Sequence, residues 1–81
     1  MNIYAGNLNY HLSEEELGNA FAAYGAVETV KLVKDRETGR AKGFGFVEMP
    51  NDDEAMAAIE NLNGSELNGR QLVVKKALPK A

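Results

Sequence analysis

Residues 42–49 read Lys-Gly-Phe-Gly-Phe-Val-Glu-Met, and the types and spacing of Phe44 and Phe46 could do chemistry. Side chains on a β-strand alternate between its two faces, so these rings share one face while Gly45, Val47 and Met49 share the other. If Val47 and Met49 cover the core, two large rings stand on the solvent side of a sheet. Adjacent exposed rings call for a use. Ring faces beside a cation, here Lys42, suit stacking of nucleic-acid bases. The reversed alternation would bury two rings beside glycines and expose Val47 and Met49.

Elements that could hold such a strand are legible on either side of it. Ile3, Tyr4 and Ala5 open a short strand that stops at Gly6-Asn7. Ser13 and Glu16 stand at capping-box spacing, with Leu12 and Leu17 flanking them as a hydrophobic staple. Leu17, Ala20, Phe21 and Tyr24 then follow at i, i+3, i+4 and i+7, one stripe of a helix. Gly25 sits where a left-handed residue would end it. Residues 27–34 are β-branched and apolar enough for a strand, with Val30 and Leu32 on one side and Lys31 and Val33 on the other. Asp35–Ala41 reads as a polar hairpin loop, and residues 43–49 form the next strand, ended by Pro50.

The pattern then repeats. Asn51 and Glu54 have capping spacing, Asp52 and Asp53 suit the positive end of a helix dipole, and Ala55, Ala58, Ile59 and Leu62 make the buried stripe. Gly64 lies near this helix's end. Asn68-Gly69 signals a tight hairpin turn. Leu72–Ala77 is a last strand, with Leu72 and Val74 on one face and Val73 and Lys75 on the other. Two helices can bury their stripes on one face of a four-stranded antiparallel sheet, which makes an α+β, ferredoxin-like βαββαβ sandwich. Its expected core is Ile3, Ala5, Leu17, Phe21, Val30, Leu32, Val47, Met49, Ile59, Leu62, Leu72 and Val74. Tyr4, Phe44 and Phe46 are left on the open face.

Bulk properties narrow the function. Eighty-one residues make one domain, expected over 1–78 with a short tail at 79–81. With no cysteine and one histidine, His11, disulfides, thiolate zinc and iron–sulfur sites are excluded, and no metal or other cofactor is expected. No apolar run approaches the ~20 residues of a bilayer span, and the first residues lack the regions of a secretory signal. A cytoplasmic protein without membrane contact is the default. Net charge is −3, yet all nine lysines and arginines lie within 26–50 and 70–81, while the helical segments 12–25 and 51–69 hold eight acids and no base. That asymmetry matters more for steering a ligand than the net value.

Residues 42–49 match six of the seven specified positions of the RNA recognition motif octamer, departing at Met49. Ile3-Tyr4-Ala5-Gly6-Asn7-Leu8 fits the family's shorter motif on its first strand. The chain thus resembles this family over almost its whole length. The resemblance implies that Tyr4 and Phe44 stack on two successive bases, Phe46 lies against sugars and Lys42 contacts a phosphate. It also implies that Lys31, Val33, Val73 and Lys75 widen the platform, and that the last strand and the following Lys76–Lys80 help select bases. Arg36 and Arg40 are candidate phosphate contacts. Tyr10 and His11 read as loop residues near the sheet edge.

The expected partner is single-stranded RNA, bound by a monomer in post-transcriptional regulation or RNA chaperoning. Stacking alone does not separate it from single-stranded DNA, because 2′-hydroxyl contacts make that distinction. The alternative is a protein-interaction module using the acidic helices. An enzyme is not expected, since catalysis needs a nucleophile or a positioned acid–base pair, and the sequence offers neither.

Overall fold

Two N-caps set where the helices begin. Ser13 has extended backbone (φ −88°, ψ 161°), and its Oγ accepts the Glu16 N–H at 3.1 Å while Glu16 Oε2 accepts the Ser13 N–H at 3.1 Å. The capping box is complete, and Leu12 and Leu17 are buried on either side of it. Asn51 caps the second helix by accepting the Glu54 N–H at 3.0 Å. Here the box is only half formed: Glu54 Oε1 accepts the Ala26 N–H at 3.3 Å instead, fastening the second helix to the segment that follows the first. Ser13→Ala should cost about 1 kcal/mol, read as a lower urea midpoint with an unchanged slope.

The computed structural model describes residues 1–77. Its elements are β1 (Asn2–Gly6), α1 (Glu14–Ala22), β2 (Thr29–Lys34), β3 (Ala41–Glu48), α2 (Asp52–Leu62), β4 (Glu66–Leu67), β5 (Arg70–Gln71) and β6 (Val73–Lys76). Four strands form one antiparallel sheet in the order β2-β3-β1-β6, and β4 and β5 pair separately. This is the expected βαββαβ sandwich with a small hairpin added before the last strand. Asn68 and Gly69 form that hairpin's turn with φ 51° and 79°, the pair of positive angles that a tight primed turn needs. The tail at 79–81 lies outside the described residues.

The core follows the alternation. Ile3, Ala5, Leu32, Val47 and Val74 from the sheet, with Met49 and Leu72 next to its strands, bury against Leu17 and Phe21 of α1 and Leu62 of α2. Ala55 and Ala58 are also fully buried, and Leu8 and Leu12 close the end of the core beneath the β1–α1 loop. Val30 and Ile59 pack on its margin, half-buried rather than enclosed. Gly25 corrects another expectation. Its φ of 159° is nearly extended, far from the left-handed helical value, so it does not terminate α1 as a cap. A side chain there would collide with Glu54, so Gly25 leaves room for the carboxylate that holds Ala26.

β2 and β6 are the outer strands, and each has an outward amide covered by a side chain. Glu14 Oε2 accepts the Leu32 N–H at 3.1 Å, and Asn63 Oδ1 accepts the Val74 N–H at 3.0 Å.

Candidate nucleic-acid interface

Both helices lie on one face of the sheet, which leaves the residues of opposite parity on the other. Strand register aligns four of them. Lys31 pairs with Phe46, Phe46 with Tyr4, and Tyr4 with Lys75, so one line across all four strands reads cation, ring, ring, cation. Phe44 lies one step along β3 on the same face. The Tyr4 and Phe44 rings stack with centroids 5.9 Å apart at 28°, and Phe46 meets Tyr4 at 5.9 Å and 68° and Phe44 at 6.2 Å and 89°. These are the offset and edge-on arrangements that the ring quadrupole favours, so the rings hold one another in place while staying accessible. Phe46 remains 39% exposed.

Tyr4 lies down along its own strand. A Cβ added at Gly6 would fall 2.6–2.9 Å from the Tyr4 ring and hydroxyl, so only glycine leaves space for this pose. Local sequence marks Gly6 only as the end of a strand, not as a seat for the ring. The signal was there: Tyr4 and Gly6 are two residues apart and share a face. Lys75 Nζ stands 5.2 Å from the centre of the Tyr4 ring, within cation–π range. Val73 pairs with Gly6 at one margin of this surface and is 45% exposed; Val33 is half-buried on the outer strand β2.

The glycines of β3 make room for their neighbours. Gly45 is buried on the core side, and a Cβ there would sit 2.5 Å from the Lys31 carbonyl oxygen, so it permits close pairing of β2 with β3. Gly43 has φ 86° and lies against the Tyr10 ring, 3.3 Å from where a Cβ would be. Beyond it, Lys42 and Arg40 line a groove between the β2–β3 hairpin and the β1–α1 loop, together with Tyr10, His11 and Phe44. The candidate residues therefore fall into two groups: Lys31, Phe46, Tyr4 and Lys75 across the sheet, and Arg40 and Lys42 at one end beside Phe44.

The acids gather mainly on the helical side of the sheet, with one exception on the open face. Among the described residues the one ion pair joins the Met1 amine to Asp52 at 3.7 Å, so the cations of the open face have no acidic partner there. Three carboxylates on the helices are hydrogen-bonded within the fold, Glu14 to Leu32, Glu16 to Ser13 and Glu54 to Ala26, which ties much of the acidity to capping and edge contacts. The exception is Glu48, exposed on the open face where it pairs with Asn2 and Thr29. Among the described residues no group of His, Cys, Asp and Glu could hold a metal ion, and no helix is long and apolar enough to cross a membrane.

A network of asparagines fixes the loop after β1. Asn7, with φ 57°, donates from Nδ2 to the Gln71 carbonyl at 2.6 Å and accepts from Arg70 Nη2 at 3.2 Å. Asn9 Nδ2 donates to the Asn68 carbonyl at 3.0 Å. Each bond spans more than fifty residues of sequence.

The family model for the RNA recognition motif matches residues 3–73. A relative from Nostoc sp. (strain PCC 7120), named "Putative RNA-binding protein RbpB", is 58% identical over 80 residues, which cover 99% of this chain and 78% of that protein. The crystal structure of RNA binding protein PG1 superimposes with a TM-score of 0.96 at 52% identity, covering 100% of this chain and 98% of that one. An Rna15 RRM, solved with bound RNA (GU), superimposes with a TM-score of 0.84 at 32% identity, over 94% of this chain and 81% of that one.

Proposed function

The chain belongs to the RNA recognition motif family, and from that membership we propose that it binds single-stranded RNA on the open face of its sheet. Tyr4 and Phe44 stack on two successive bases, and Phe46 lies against the sugars between them. Lys42 and Arg40 meet phosphates at one end, Lys31 and Lys75 flank the rings, and Val33 and Val73 extend the apolar margin. The observation that carries this reading is the in-register line of Lys31, Phe46, Tyr4 and Lys75, with Phe44 stacked beside it. A broad, shallow surface of rings suits unpaired bases, which a duplex keeps stacked on one another. The domain acts by binding, without a catalytic step, and the process we assign to it is post-transcriptional regulation or RNA chaperoning.

Each base–ring contact contributes roughly 1–3 kcal/mol. Two or three of them with a few phosphate contacts reach ~8 kcal/mol after association costs, about micromolar affinity. Titration of a labelled RNA as a single strand and as a duplex tests the proposal: the strand is expected to bind and the duplex to bind much more weakly. Equal affinity for the two overturns it. Lys42→Ala should weaken binding across all sequences and flatten the plot of log affinity against log salt by about 0.7, the slope of one phosphate contact on a single strand.

A further inference from the structure

We propose that Tyr10 is a fourth stacking position, which takes one further nucleotide of the same strand beyond the three-ring platform. This rests on the reading that the open face binds single-stranded RNA.

Tyr10 is 61% exposed, more than any other large apolar side chain among the described residues. The segment that carries it is nonetheless held from several sides. Its neighbours Leu8 and Leu12 are buried in the core, and the Leu8 N–H donates to the Gly43 carbonyl at 2.7 Å. Asn9 closes the turn around Tyr10, its Oδ1 accepting the His11 N–H at 2.9 Å and its carbonyl accepting the Leu12 N–H at 3.0 Å. Its Nδ2 ties the same turn to Asn68. A ring presented to solvent from so constrained a turn loses little freedom when a ligand packs on it.

The surroundings of the ring fit a nucleotide. Arg70 Cζ lies 5.7 Å from the ring centre and is itself positioned by its hydrogen bond to Asn7. A guanidinium beside a ring offers both a plane for a base and a charge for a phosphate. The left-handed backbone at Gly43 lets the ring settle against β3, the strand that carries Phe44 and Phe46. Arg40 and Lys42 share the groove that holds both Tyr10 and Phe44, where a phosphate linking bases on the two rings would meet them. Glu14 and Asp35 also line this groove. Their carboxylates are turned to backbone amides, Glu14 to Leu32 and Asp35 Oδ1 to Glu37 and Thr38 at 2.8 and 3.4 Å. Every base has a π-face, so this position adds length to the bound segment without selecting a base.

The test is a titration of oligonucleotides lengthened one nucleotide at a time from a dinucleotide, against the wild-type protein, Tyr10→Ala and Tyr10→Trp, each confirmed folded by circular dichroism. In the wild type, affinity should step up about tenfold at the length that first reaches Tyr10. Tyr10→Ala should bind the shortest oligonucleotides like the wild type and lose that step, and Tyr10→Trp should keep it. A Tyr10→Ala variant that matches the wild type at every length, or is weakened equally at every length, overturns the fourth position while leaving the platform intact. Wild-type binding that is insensitive to Phe44→Ala overturns the platform and the extension together.

Discussion

Replacing Phe44 and Phe46 together by alanine is expected to lower the affinity for single-stranded RNA by about 3 kcal/mol, more than a hundredfold. Both rings present a face to solvent, so the loss comes from stacking surface rather than from the core. The mutual ring contacts contribute about 0.5–1.5 kcal/mol per pair to the fold. The double variant should therefore melt a few degrees lower and keep the circular dichroism of the wild type. Fluorescence anisotropy with a labelled RNA pool reads the effect, and a folded double variant with unchanged affinity would refute the open face as the binding surface. Because the three rings touch one another, single replacements will not add up to the double one.

The opposite behaviour is expected of Phe21→Ala. Phe21 has no exposed surface and is the largest fully buried side chain, joining α1 to the sheet. Its truncation should remove about 3–5 kcal/mol of unfolding free energy, a large part of the 5–15 kcal/mol that holds a typical domain together. Urea denaturation measures this directly. RNA binding should fall only through the unfolded fraction. Saturating RNA, at about a hundredfold over its dissociation constant, should restore about 2.7 kcal/mol and refold the variant. A binding defect that persists in the refolded protein would mean that Phe21 shapes the interface as well as the core. Together the two variants separate loss of surface from loss of fold.

What could be read from the sequence was what local chemistry decides. Ser13 and Asn51 announced the helix starts because a cap acts within three residues. Asn68-Gly69 announced its turn because two successive positive φ angles suit that pair. Alternation placed Val47 inside and Phe46 outside as soon as the helices supplied a core. The parts that escaped join residues far apart in the chain. Glu54 follows the capping spacing but turns to Ala26, a choice made by the approach of the α1–β2 segment. The line from Lys31 to Lys75 needs the strand order β2-β3-β1-β6, which no local pattern prints. Arg70 beside Tyr10 depends on the small β4–β5 hairpin folding back onto the β1–α1 loop. The three rings, three lysines and one arginine of the candidate site were thus legible as types, and their assembly was not.

The side chains that cover the outer strands bear on how this domain behaves in company. Copies gathered on one RNA strand would face one another at an effective concentration in the millimolar range. At such concentrations exposed strand edges pair, and neighbouring sheets fuse into continuous assemblies. Here a strand approaching β2 finds the Leu32 amide already held by Glu14, and one approaching β6 finds the Val74 amide held by Asn63. A strand docking at either of these amides would have to break a hydrogen bond before making one. Crowding along an RNA can then be undone simply by letting go of the RNA.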